Sequence, residues 1–393
     1  MSDYRYWLAT AALVVAAPLY AQTESSQAES LQTESLQTES LQTESLQTES
    51  VGSTADTGAP REYLVTLTRP DKLHLIDASS REVVRTCALG GAFGPGAIQL
   101  SPDERIAYVL HNRWEDVVGV DLTNCEEVFR ARQSRGNERV KSIASLAVSP
   151  DGSRLYTVQN PVEMLIDEYR VKPPRLAVFD TSAGLDAEPL KTFEVPRQIT
   201  TMATDADGQL YMGGADIYRV DPASGEVEIA IANRHWDRPG FSAPDSLAMW
   251  STGEVADEYL RPYTVAELDD QGEPSAYHWG ISRVDLTTGE TENKEIGPFE
   301  FLIFSMVSDP NSRDDLYGVY TQLSHYDAAS QELKKVIDLD HTYYNINSSH
   351  DGETLYIGGA SSDIAIYDKA FNDLGRIELP GDMSTATLKV ARF

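Results

Sequence analysis

Positive charge is scarce in this chain: 32 lysines and arginines stand against 62 aspartates and glutamates, a formal net charge of −30. That balance repels phosphate backbones and anionic lipid, which argues against nucleic-acid binding and membrane insertion and favours cationic partners or a saline medium. Cysteine is nearly missing as well, with only Cys87 and Cys125. There is no Cys-x-x-Cys-His, so the chain attaches no c-type haem of its own. An exported protein permits a bridge between Cys87 and Cys125, and the sequence leaves that pairing open. The seven histidines are scattered, none at His-x-x-x-His or His-Glu-x-x-His spacing, so no metal site is expected from them. A Gly-x-Ser-x-Gly elbow, a phosphate-cradling glycine loop and a dinucleotide fingerprint are all lacking. No catalytic residue is assigned.

Long apolar runs are limited to one, Trp7–Ala17, preceded by Arg5 and followed by Pro18-Leu19-Tyr20-Ala21. It is too short to span a bilayer and ends in small residues, the pattern of a secretory signal peptide over residues 1–21. Residues 22–60 carry no lysine, arginine or aromatic, and Leu-Gln-Thr-Glu-Ser occurs four times between Leu31 and Ser50. Leucines every five residues match neither the helical nor the strand period, so the segment is expected to be a disordered tether.

What is abundant is repetition. Seven times a short apolar run ends in an aspartate: Asp77, Asp121, Asp180, Asp221, Asp285, Asp327 and Asp368. Five of these, all but Asp180 and Asp368, are followed five positions later by glutamate, with Gly225 and Gly289 at the turn in two. Aspartate bonds its own backbone two residues on and glycine tolerates positive φ, so each unit reads as strand, tight turn, strand. Upstream lies a second signature, a polar turn before an apolar-aromatic strand. Its copies are Ser101-Pro102-Asp103, Ser149-Pro150-Asp151-Gly152, Asp205-Ala206-Asp207-Gly208, Asp309-Pro310-Asn311 and Asp351-Gly352. Four strands and two hairpins per unit, at a period near the roughly 40 to 50 residues of propeller blades, predict an all-β, seven-bladed β-propeller over residues 61–393.

The first unit offers only three strands, Tyr63–Thr68, Leu73–Asp77 and Val83–Leu89, and the tail Thr385–Arg392 is expected to supply its missing innermost strand, closing the ring. The signature aspartates are 44, 59, 41, 64, 42 and 41 residues apart, so the third and fifth units carry insertions, Asn160–Pro174 and about Val265–Ala276. Between second and third strands, such loops emerge on the same face as the connections between blades. Inter-blade aromatics gather there, and Trp236, Phe301, Tyr343 and Tyr344 are the candidates for subunit contact or a substrate-pocket wall. Carboxylates could also ring Ca²⁺ in the channel, as in lactonase-type propellers, but Asp205, Asp207 and Asp351 belong to the repeated turns.

Specific strings go further. They are Arg69-Pro70-Asp71-Lys72-Leu73 before Ile76-Asp77, Glu138-Arg139-Val140-Lys141-Ser142 before Ala147-Val148-Ser149-Pro150-Asp151-Gly152, Pro196-Arg197-Gln198-Ile199-Thr200, Tyr343-Tyr344-Asn345-Ile346-Asn347 and Gly358-Gly359-Ala360. In register from about Arg61 to the C-terminus, they resemble the β subunit of bacterial quinohemoprotein amine dehydrogenase. The resemblance implies a periplasmic three-subunit oxidoreductase acting on primary amines. A γ subunit would carry cysteine tryptophylquinone, an α subunit two c-type haems, and this chain no cofactor. The heavy chain of methylamine dehydrogenase, with a similar propeller, is one alternative; a stand-alone secreted ligand-binding propeller is another.

Overall fold

The computed structural model describes residues 60–91, 96–246 and 253–393. The expected signal peptide and nearly all of the tether, up to residue 59, lie outside them. The strands form seven antiparallel sheets arranged as a seven-bladed β-propeller. In chain order, the sheets of blades 2, 4, 6 and 7 run from an inner strand to an outer one: Ile98–Leu100 to Glu127–Arg132, Thr201–Thr204 to Val227–Ile231, Ser305–Asp309 to Glu332–Asp338, and Asn345–Ser348 to Asp373–Glu378. Blade 5 shows three strands among the described residues, Glu258–Leu268, Pro274–Asp285 and Thr291–Pro298.

Each signature aspartate does the same local job. The Oδ1 of Asp77, Asp121, Asp180, Asp221, Asp285 and Asp327 accepts the backbone N–H two residues on, at 2.7–2.9 Å; Asp368 accepts from Asn372 at 2.8 Å. Four residues after the aspartate the backbone turns left-handed, at Gly225 (φ 80°) and Gly289 (φ 74°), but also at Arg81 (φ 62°), Cys125 (φ 65°) and Gln331 (φ 59°). Non-glycine residues accept that strained φ because the turn's other bonds fix it. The polar turns are equally regular: the hydroxyls of Ser101, Ser149 and Ser349 each donate to the aspartate two residues on, at 2.5–2.6 Å.

Apolar side chains from facing blades make the core. Tyr108, Phe129 and Phe179 meet edge to face between blades 2 and 3, with centroids 5.8 and 6.1 Å apart. Gly119 is required there, since a Cβ would lie 2.9 Å from Phe129 and Tyr108.

Blade 1 closes the ring as the sequence suggests. Lys389–Arg392 pairs antiparallel with Glu62–Thr68, followed by Lys72–Asp77 and Glu82–Ala88. Cys87 and Cys125 form a disulfide that ties the outer strand of blade 1 to the outer turn of blade 2.

A charge cluster also stitches the closure. His350 of blade 7 places Nδ1 2.9 Å from Glu62 Oε2 in blade 1 and Nε2 3.9 Å from Glu104 Oε1 in blade 2. Tyr356 donates to Glu62 Oε1 at 3.0 Å, and the Arg392 backbone N–H donates to Glu104. The carboxylates of Glu104 and Glu62 push the His350 imidazolium up to about 9. A raised histidine stabilises the fold fully below its unfolded value, roughly 6.5, and that stability is lost as pH rises through about 9. A melting temperature falling by several degrees between neutral pH and about pH 9.5 is therefore expected, equivalent to about 1–3 kcal/mol after allowance for partial exposure. His350→Gln should flatten that limb; an identical alkaline limb in the variant would rule out this role.

Candidate functional site

Two opposite faces are built differently. On one, the polar turns surround the channel mouth, a cavity of about 560 Å³ whose lining includes Ser101, Ser149, Asp205, Glu254, His350 and Lys389. Lys389, on the C-terminal strand and almost fully buried, pairs with Glu254 of blade 5, a contact that crosses the channel because blades 1 and 5 are not neighbours. Among the described residues no group of three or more His, Cys, Asp or Glu is placed to hold a metal ion. Asp205 serves its own turn, accepting the N–H groups of Asp207 and Gln209.

A catalytic-looking chain, Thr68 Oγ1 to His74 Nε2 at 2.8 Å and His74 Nδ1 to Thr86 Oγ1 at 2.9 Å, lies inside blade 1. His74 is fully buried, and desolvation with help from Lys72 pushes its pKa down to about 4. No substrate reaches it; the chain of bonds satisfies buried polar groups.

The opposite face carries the blade connections and both insertions. In blade 3 the second strand runs on to Met164, turns, and returns as Tyr169–Val171. Its other edge pairs with Glu138–Lys141, part of the connection from blade 2. In blade 5 the insertion lengthens the Glu258–Leu268 and Pro274–Asp285 hairpin, and bridges Phe241 to Glu267 and Asp245 to Thr264 bind it to the connection from blade 4. Each insertion is thus fixed by the connection beside it. Exposed apolar side chains cluster on these two elements: Ile143, Met164, Ile166, Tyr169 and Val171 on the first, Tyr277, Phe299 and Leu302 on or beside the second.

The four aromatic candidates separate. Trp236 is half-buried at the flank of blade 5, edge to face with Tyr263 at 5.8 Å and with the Arg238 guanidinium over its ring at 5.5 Å. Phe301 is half-buried against Tyr326, and its carbonyl accepts the Trp279 indole N–H at 3.0 Å. Tyr344 is half-buried in a three-ring cluster with Phe304 and Tyr320, at 4.8 and 6.1 Å. Those rings touch one another and leave no open box between them. Tyr343 is fully buried, donating to Asp363 Oδ2 at 2.6 Å, so its side chain is packing between blades and not a contact surface. Desolvation, with Asp363 adding to it, pushes the Tyr343 pKa upward and keeps the hydroxyl a donor. Sequence reasoning did not single out Ile166, Tyr169 or Val171, although their apolar character inside an insertion was the available signal.

No family model and no curated protein matches the chain. Among solved structures it is similar to hydrazine synthase of Kuenenia stuttgartiensis, at 13% identity over 77% of this chain and 90% of that one, with a TM-score of 0.52. It is also similar to a protein of unknown function from Desulfotomaculum acetoxidans, at 12% identity over 84% and 99% of the two chains, with a TM-score of 0.56. Likeness at this level of identity shows the propeller fold alone.

Proposed function

We propose that this chain is a cofactor-free scaffold of a periplasmic amine dehydrogenase, docking a haem-bearing α subunit and a quinone-bearing γ subunit over the connection face. The observation that carries the scaffold reading is the pair of insertions braced onto the neighbouring connections and exposing apolar side chains on one face. Rigid, pre-ordered apolar projections anchor protein interfaces, whereas a monomer has no use for them. The amine-oxidising identity rests on the sequence resemblance. The partners' quinone and haems would supply amine oxidation and electron transfer; this chain's own residues bind and orient those partners.

The purified chain is expected to be colourless and to reduce no artificial acceptor with a primary amine, while the complex isolated with its partners is coloured and reduces the acceptor. Amine-dependent reduction by the chain alone, rigorously freed of haem protein, would end the scaffold reading.

A further inference from the structure

Buried cations in this molecule are paired, with one exception. Among the described residues three lysine or arginine side chains are buried: Arg261, Arg283 and Lys389. Arg283 has Glu258 at 2.9 Å and Glu292 at 3.2 Å, and Lys389 has Glu254. Arg261, only 6% exposed, forms no ion pair among the described residues. Its Nη1 donates to the Gly214 carbonyl at 2.6 Å, and its Nε is buried without a hydrogen-bond partner. A guanidinium keeps its charge in any protein environment, so its burial without a counter-charge is costly and calls for an anion.

The side chains packed around it supply none. Arg261 lies opposite Ser282 in the blade 5 hairpin, and cross-strand partners share a face. Next to Ser282 are Asn293, which accepts the Ser282 hydroxyl at 2.8 Å, and Asn233, whose Nδ2 donates to Ser282 Oγ at 3.3 Å, so this layer is polar and neutral. Asp216 of blade 4 is fully buried and already engaged, by His235 Nδ1 at 2.6 Å and by the backbone N–H groups of Asn233 and His235. Residues 247–252, which follow Ser246 in the chain, include no aspartate or glutamate.

What Arg261 borders is open space. It lines a cavity of about 600 Å³ on the connection face between blades 4 and 5, together with Gln198, Gly214, Asn233, Arg234, Asp245 and Ser246. Arg234 is exposed and is likewise in no ion pair among the described residues; Asp245, also exposed, is the one carboxylate of the lining. The buried charge of the cavity is therefore positive, in a chain whose net charge is −30. A volume of this size admits a small molecule, and the planar fork of a guanidinium matches the two oxygens of a carboxylate.

We propose that this cavity is a carboxylate-binding site, in which Arg261 holds the carboxylate and Arg234 adds attraction at the mouth. Two sources share that chemistry, a free small molecule and a side chain of a docked protein. The inference rests on neither amine chemistry nor the scaffold reading.

The test is a calorimetric titration of the chain with glutarate at low salt, with glutaramide as an uncharged probe of similar shape. Glutarate should bind and raise the melting temperature, and glutaramide should bind about tenfold more weakly or not at all. Arg261→Met should lower glutarate affinity about tenfold and cancel the rise in melting temperature, while its own melting temperature equals or exceeds the parent's because an unpaired buried charge is gone. Arg261→Lys keeps the charge without the fork and should recover only part of the affinity. Arg234→Gln should weaken binding several-fold at an unchanged melting temperature, and it decides the matter where the Arg261 variants do not fold. No glutarate binding by the parent, equal binding of glutaramide, or undiminished binding by Arg261→Met would overturn the site. So would undiminished binding by Arg234→Gln where the Arg261 variants do not fold. Repeating the titration on the chain with its partners bound separates the two sources: lost glutarate binding assigns the carboxylate to a partner's side chain, and retained binding assigns it to a free ligand.

Discussion

Deletion of Thr385–Phe393 is expected to abolish cooperative folding of the propeller. The segment supplies the inner strand of blade 1, with Glu62–Val65 paired to Lys389–Arg392, and it buries Leu388, Val390 and Ala391 almost completely. Phe393 stacks on Tyr63 at 4.8 Å, the Thr66 hydroxyl donates to the Thr387 carbonyl at 3.0 Å, and Lys389 is lost from its pair with Glu254. Burial of the apolar side chains and the strand's hydrogen bonds together amount to roughly 5–8 kcal/mol, the size of a whole domain's margin. The deletion also leaves Glu62–Thr68 as an open edge beside the channel, an invitation to aggregate. A truncated chain that melted at the parent's temperature would contradict closure by the termini. The matching control is deletion of residues 22–60, which should leave the melting temperature nearly unchanged.

Loss of the Cys87–Cys125 bridge should be the next largest effect. The cysteines are 38 residues apart, and in the chain-entropy account a loop of that length is worth about 4 kcal/mol, an upper figure because the unfolded chain keeps some structure. The bond holds the blade that closes the ring to its neighbour, so its removal loosens the joint on which the array depends. Cys87→Ala with Cys125→Ala should lose about 2–4 kcal/mol, and reductant should lower the melting temperature of the parent but not of the double variant. A double variant as stable as the parent would show that the blades hold together without it. A bridge of this kind also suits an exported protein in an oxidising compartment.

The fold was readable because its determinants are local and repeated. An aspartate that bonds the N–H two residues on leaves the same mark in six of the seven blades, and the missing strand of the first unit points to the C-terminus. Three features resisted such reading. The His350–Glu62–Glu104 cluster joins residues nearly 290 positions apart, and no local pattern announces it. Tyr343 and Tyr344 are adjacent in sequence, yet one is fully buried on Asp363 and the other reaches the ring cluster with Phe304. Side-chain parity at the start of a strand decides between them, and parity depends on where pairing begins. The exposed apolar face of the blade 3 insertion was hidden likewise: it is set by pairing with Glu138–Lys141, from the preceding connection.

The most direct test of the scaffold role is isolation of the native complex at low salt, with mass spectrometry of the intact assembly and a visible absorption spectrum. The account predicts this chain together with two further polypeptides, one giving the absorption bands of c-type haem. Recovery of the chain alone and free of haem, from cells that oxidise primary amines in the periplasm, would contradict it.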